Sequence, residues 1–303
     1  MTLYERHGER SFDHPVLVVA LEGWVDAGLG ADGAITTLLS ADPTELVATF
    51  DGEALIDQRA RRPVVHISHG VNEGLTWPMI QLRIGTDRAG ADICYLVGPE
   101  PDFGWPTFVA SVVTLVRELG IRMVVGLGAF PAPAPHTRPV RLAATAPRES
   151  SDLVARVGVV QGEIDVPSGV WGALEIALGE ADIPTVGLWA RVPHYVSGMA
   201  FPSASAALID GLAAVGDLSL DSTDLHTAAD ASLRQVDDLI AKSDEHLSMV
   251  RQLERSVDAA EGNPLDVGTL PTGEELAAEL ERYLRDEPGD GDGRGRGGPP
   301  GNV

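Results

Sequence analysis

A chain of 303 residues, 44% of them hydrophobic, is long enough for one large α/β domain or two smaller ones. Its 45 Asp and Glu against 22 Lys and Arg leave a formal net charge of −23. Such a surface repels phosphate backbones and anionic headgroups, which argues against nucleic-acid and membrane partners. A single cysteine, Cys94, excludes an internal disulfide and a thiolate metal cluster.

The first fourteen residues are charged and lack an apolar segment, so no secretory signal is expected. No apolar run approaches the ~20 residues of a membrane helix. The cytoplasm is the expected compartment. Val16 to Leu21 reads as a buried strand. A helix is expected from Gly30 to Ser40, with Ile35, Leu38 and Leu39 inward, then a strand from Leu46 to Phe50. Pro63 to Ile67 is strand-like, and Met79 to Ile84 alternates as a half-exposed strand does. Asp92 to Val97 is another strand, which makes Cys94 a buried, inert thiol. Pro106 sits where a helix starts and Gly120 where it ends, with Phe108, Val112, Val116 and Leu119 on one face. Arg122 to Leu127 is expected as the central strand. Ser168 opens a helix through Leu178, Thr185 to Ala190 is the next strand, and Pro202 starts a further helix. This βαβ alternation predicts a mainly parallel sheet covered by helices on both faces.

Beyond Gly216 the pattern changes. Apolar residues from Leu233 to Val257 recur at helical spacings between charges, predicting one amphipathic helix over residues 225 to 260, about 50 Å long at 1.5 Å per residue. A second helix is expected from Gly273 to Arg285. The expected organisation is an α/β core over residues 1–216, a helical extension over 217–286 and a disordered tail over 287–303, which lacks apolar anchors.

Two apolar strands run into Pro-His loops. One loop holds His136, Thr137 and Arg138 between Pro135 and Pro139; the other reads Val192-Pro-His-Tyr195. Loops after the carboxyl ends of strands are where α/β proteins build sites. Arg138 offers a planar fork for a carboxylate or phosphate, and His136 can act as acid, base or ligand. Equally, Arg138 can pair with Glu22 at the end of the first strand while His136 bonds backbone. His194 and Tyr195 carry the same two readings. Glu22, Trp24 and Asp26 follow the first strand; two carboxylates beside an indole can orient a ligand, whereas Asp26 as a helix cap is the simpler role. Gly28-Leu-Gly-Ala-Asp-Gly33 has the spacing of a dinucleotide fingerprint, but six residues separate its first glycine from the strand, so the phosphate geometry fails. His66 and His69 lack a third ligand nearby in sequence. No residue is assigned a catalytic role, and neither a metal nor a cofactor is implied.

Three segments carry a family resemblance: Pro15-Val-Leu-Val-Val-Ala-Leu-Glu-Gly-Trp-Val-Asp-Ala-Gly28, the Pro135–Pro139 loop and the Val192–Tyr195 loop, in this order. Over roughly residues 12 to 285 the chain resembles the bacterial branch of the proteasome assembly chaperone 2 family. The resemblance implies a phosphorylase/hydrolase-like α/β core and no established activity. It also implies a protein partner, proteasome-related by analogy, and a homo-oligomer, a trimer by the same analogy. The alternative is an enzyme or sensor that binds a small anionic or nucleotide-like metabolite with Glu22, His136, Arg138 and His194. A closed, polar pocket joining these four groups would favour the metabolite; a filled cleft with the groups salt-bridged would favour the chaperone-like role.

Overall fold

The computed structural model describes residues 3–8, 12–23, 25–159 and 162–262. In chain order the elements are β1 (Tyr4–Arg6), β2 (Val16–Glu22), α1 (Gly30–Ala41), β3 (Glu45–Phe50), α2 (Gly52–Leu55), β4 (Val64–Ser68), β5 (Val71–Thr76), β6 (Gln81–Thr86), β7 (Asp92–Pro99) and α3 (Trp105–Glu118). They continue with β8 (Met123–Ala132), β9 (Leu142–Thr145), α4 (Ser151–Val157), α5 (Val170–Glu180), β10 (Thr185–Pro193), α6 (Pro202–Gly216), α7 (Thr223–Ile240) and α8 (Asp244–Gly262).

Eight strands form one sheet in the order β1-β3-β6-β7-β2-β8-β10-β9. The central four, β7, β2, β8 and β10, run parallel; antiparallel pairs extend the sheet on both flanks. Period-two alternation splits the core between the faces. Val16, Val18 and Ala20 of β2 pack with α1, α4, α6, α7 and α8 on one side. Leu17 and Val19 pack with α2, α3 and α5 on the other. Cys94 lies fully buried in the second cluster, and burial pushes its thiol up to about 12, where it stays protonated and inert.

Two expectations change. β8 does not stop at Leu127: it runs to Ala132, paired residue for residue with β10 up to Ala132 and Pro193. Gly126 and Gly128 lie inside it because indoles cover them. A Cβ at Gly126 would come within 2.5 Å of the Trp171 ring, and one at Gly128 within 2.4 Å of the Trp189 ring. The amphipathic stretch expected as one helix is two. α7 ends at Ile240, and α8 restarts after Ser243, whose Oγ accepts from the His246 N–H while Asp244 and Glu245 occupy the first turn. A capping serine followed by acids is a helix-start signal that outweighs the continuous period.

α7 and α8 belong to the same compact unit as the sheet, which comprises residues 1–160 and 168–267, and they bury Val236, Ile240 and Val250 in its core. The described stretch 162–167, which falls outside this unit, contains neither helix nor strand. The expected helix at 273–285 and the expected tail lie outside the described residues.

Candidate functional site

The parallel register of β8 and β10 brings the two Pro-His loops together, since Ala132 and Pro193 are cross-strand neighbours. The loops then bond to each other. The Tyr195 hydroxyl accepts from the His136 backbone N–H at 2.8 Å and lies 2.7 Å from His136 Nδ1. The other ring nitrogen, Nε2, is 3.0 Å from Asp237 Oδ1 on α7. The network is satisfied when Tyr195 donates to Nδ1 and Nε2–H donates to the carboxylate. Burial pushes the Tyr195 phenol up to about 12, so it remains a donor across the physiological range. His136 is only 4% exposed. The Tyr195 ring meets His136 and His194 edge-on, with centroids 5.7 and 5.3 Å away.

The rest of the first loop is engaged by α8. Thr137 Oγ1 donates to Glu254 Oε1 at 2.6 Å. Arg138 makes a two-pronged contact with Asp258, Nε to Oδ1 and Nη2 to Oδ2, each at 2.8 Å, and Nη1 lies 3.3 Å from Glu254. This geometry exploits the flat guanidinium fork, and the hydrogen bonds from Arg138, with its charge, hold the Asp258 carboxyl below its usual value. The expected Arg138–Glu22 pair is therefore replaced by pairs to α8. The cause is topological: α8 lies over the first loop and presents two carboxylates one helical turn apart, whereas Glu22 ends β2 as an exposed residue.

Asp26 is a helix anchor. Its Oδ1 accepts from the Ala31 N–H at 2.8 Å and its Oδ2 from the Asp32 N–H at 3.0 Å, tying the first turn of α1 to the end of β2. Burial raises its carboxyl above the ordinary value against the pull of these N–H groups. The neighbouring glycines serve packing. Gly28, at φ 64°, bonds Ser197 and Phe201 through its backbone. A Cβ at Gly30 would meet Ala129 at 2.9 Å, and one at Gly33 would meet Ser205 at 2.4 Å. The dinucleotide-like spacing is thus a small-residue seam between α1 and its neighbours, with the first N–H groups already bonded. Trp24 lies outside the described residues. His66 bonds Thr76 and His69 bonds Ser68 on the β4–β5 hairpin, away from both loops.

Several functional partners were not identified from sequence. Asp237, Glu254 and Asp258 look like ordinary solvated positions of an amphipathic helix. Glu100 is buried and accepts from the Val170 N–H at the start of α5. Glu175 of α5 is half-buried, and burial pushes its carboxyl up to about 7 against hydrogen bonds from Thr145 and the Gly187 backbone. Its Oε1 and the Trp171 Nε1 have no hydrogen-bond partner among the described residues, while Trp189 Nε1 donates to Thr145 Oγ1 at 3.0 Å. The one sequence signal for this cluster is the glycine spacing of β8, which makes room for the two indoles.

Residues 20–240 match the PAC2 family. A Corynebacterium glutamicum protein of unknown function is 31% identical, with a TM-score of 0.80 over 88% of this chain and 100% of that one. A Mycobacterium tuberculosis proteasome-assembly chaperone homologue is 33% identical, with a TM-score of 0.71 over 78% of this chain and 99% of its own. A Pyrococcus furiosus archaeal proteasome activator, 16% identical at TM-score 0.59 over 79% of this chain and 99% of its own, shares the fold. No curated protein matches the sequence. This chain belongs to the PAC2 family, the family its three sequence segments resemble, and its fold is that of the solved PAC2 relatives. None of its helices is long and apolar enough to cross a membrane, among the described residues.

Proposed function

We propose that this chain acts through contacts with other proteins rather than by catalysis, as an assembly-chaperone-like factor of the cytoplasm, working as a homo-oligomer with a trimer as the preferred form. One observation carries the reading. Two of the four strand-end groups that a metabolite would need are engaged internally: His136 with Tyr195 and Asp237, Arg138 with Asp258 and Glu254. Prolines on both sides stiffen the first loop, and a helical pair clamps it. The loops then serve to fix α7 and α8 on the sheet, and the outer surfaces of the fold are left for partners.

Similarity to a proteasome-assembly chaperone homologue supports proteasome subunits as the partner class. Added to unassembled proteasome subunits of its own source, the protein should change the rate or yield of particle formation. An unchanged time course at stoichiometric excess would defeat the assembly reading. A thermal-shift panel of phosphate, nucleotides and carboxylic acids supplies the second arm. No ligand should stabilise the protein; a shift seen with the wild type and lost in Arg138→Ala would establish the metabolite-binding alternative instead.

A further inference from the structure

The β4–β5 hairpin is a two-stranded ribbon outside the main sheet, and nearly all of it faces solvent. Its composition is wrong for that position. Val64, Ile67, Val71 and Leu75 are 49 to 64% exposed, and Trp77 and Met79, which follow it, are also exposed. Val65 and Leu75 pair on one face while Val64 lies on the other, so both faces are apolar. A lone two-stranded hairpin is marginal in water, and a clustered apolar surface of this kind marks an interaction site.

The root of the hairpin is held. Asp57 accepts from the Arg59 N–H, Asp102 accepts from the Asp57 N–H at 2.8 Å, and Arg61 Nε reaches the same Asp102 oxygen at 3.3 Å. These bonds tie the root to the turn that follows β7, at the carboxyl edge of the parallel strands. The ribbon is therefore presented in a set direction. Phe103, also exposed, lines an open groove at this root with Glu53, Asp57 and Arg59.

Charge identifies the occupant. Between Asp57 and Glu73 there is no acidic residue, while Arg59, Arg61, Arg62, His66 and His69 all fall there. This basic arm belongs to a chain of net charge −23. A second copy of the chain supplies the acidic surface such an arm needs, whereas anionic lipid would meet repulsion from the rest of the molecule. We infer that the β4–β5 hairpin is an assembly arm, docking its apolar faces and flanking arginines onto the acidic body of a second copy of this chain. Arm-to-arm contact would juxtapose like charges, so the contact is arm-to-body. Such heterologous contacts form a ring when the rotation between copies closes and an open filament when it does not. The inference rests on the homo-oligomer reading above and adds the surface that makes it.

Sedimentation velocity over a concentration series tests it, on the wild type and two variants of the full chain. One variant replaces Val65, Ile67, Val71 and Leu75 by Thr, which keeps strand propensity; the other is Arg59→Glu with Arg62→Glu, which spares the Arg61–Asp102 anchor. The wild type should sediment at a multiple of 31.9 kDa. Both variants should keep the wild-type circular dichroism spectrum yet dissociate at concentrations at least about tenfold higher. Salt should weaken the wild-type assembly and have less effect on the charge-reversed one. Variants that assemble like the wild type would overturn the arm and leave the oligomer standing. A wild type that is monomeric throughout, including one whose hairpin binds lipid vesicles instead, would overturn both.

Discussion

The two Pro-His loops and the β4–β5 hairpin treat their side chains in opposite ways. At the loops, groups chemically suited to bind something are engaged within the chain: buried His136 bonds Tyr195 and Asp237, and Arg138 ends on Glu254 and Asp258. At the hairpin, groups suited to a core have no core, with Ile67 and Val71 each 64% exposed. A polar network closed on itself stabilises the fold that contains it, whereas uncovered apolar surface gains free energy only when something else covers it. The contrast therefore separates the part of the molecule that holds itself together from the part that is free to hold a partner.

The largest effect is expected from His136→Ala. It removes a buried ring and leaves the Tyr195 hydroxyl and the Asp237 carboxylate without their shared partner. The expected cost is about 3 kcal/mol in a urea melt, from lost packing and unmade hydrogen bonds together. A change under about 0.5 kcal/mol would mean that the loop network contributes nothing to stability.

Glu175 occupies a third kind of position, where polar atoms are buried but incompletely paired. Its pKa in the folded protein is raised to about 7, so its protonated form favours folding. Its contribution is complete below the ordinary glutamate value and is lost as pH rises through about 7. Wild-type stability should therefore fall by roughly 2–3 kcal/mol between pH 5 and pH 8 on this account, and Glu175→Gln should flatten the slope. A slope unchanged by the substitution would assign the titration elsewhere.

A smaller effect is expected at Arg138, whose partners are partly solvated. Arg138→Ala should speed amide exchange in α8 by about three- to tenfold while the central strands keep their protection. Because Arg138 depresses the Asp258 pKa, this tie is present above the ordinary aspartate value near 4 and is lost as pH falls below it. Acidifying the wild type should thus reproduce the α8 loosening. Uniform exchange across the sheet and α8 would contradict a local clamp.

The smallest effect belongs to the hairpin. Thr at Val65, Ile67, Val71 and Leu75 should leave the unfolding free energy of the dilute, dissociated chain within about 0.5 kcal/mol per substitution, since little apolar contact is removed. A larger loss under those conditions would show that the hairpin supports its own subunit.

Much of the fold was legible because it depends on local periodicity. The alternation of Val16 to Ala20, the proline and glycine that bracket α3, and the apolar setting of Cys94 each report a backbone state and a buried face. The short edge strands β1 and β9 carried too few residues to show a period. The candidate site was legible by half. His136, Arg138 and Tyr195 stand out by residue type and by their proline-bracketed or strand-end loops, and Asp26 capping α1 follows from its position.

Local spacing in the sequence fixes the central strands, the helices between them, the faces these bury and the loops at the carboxyl edge, because each follows from a pattern a few residues long. The partners of these groups follow from long-range packing. Arg138 has 45 carboxylates to choose from in sequence, and the break between α7 and α8 turns the helical pair so that Glu254 and Asp258, more than a hundred residues away, arrive at its fork. Likewise Val64 to Ile67 reads as any strand would. That it stands exposed depends on where the sheet and helices end, which no local spacing encodes.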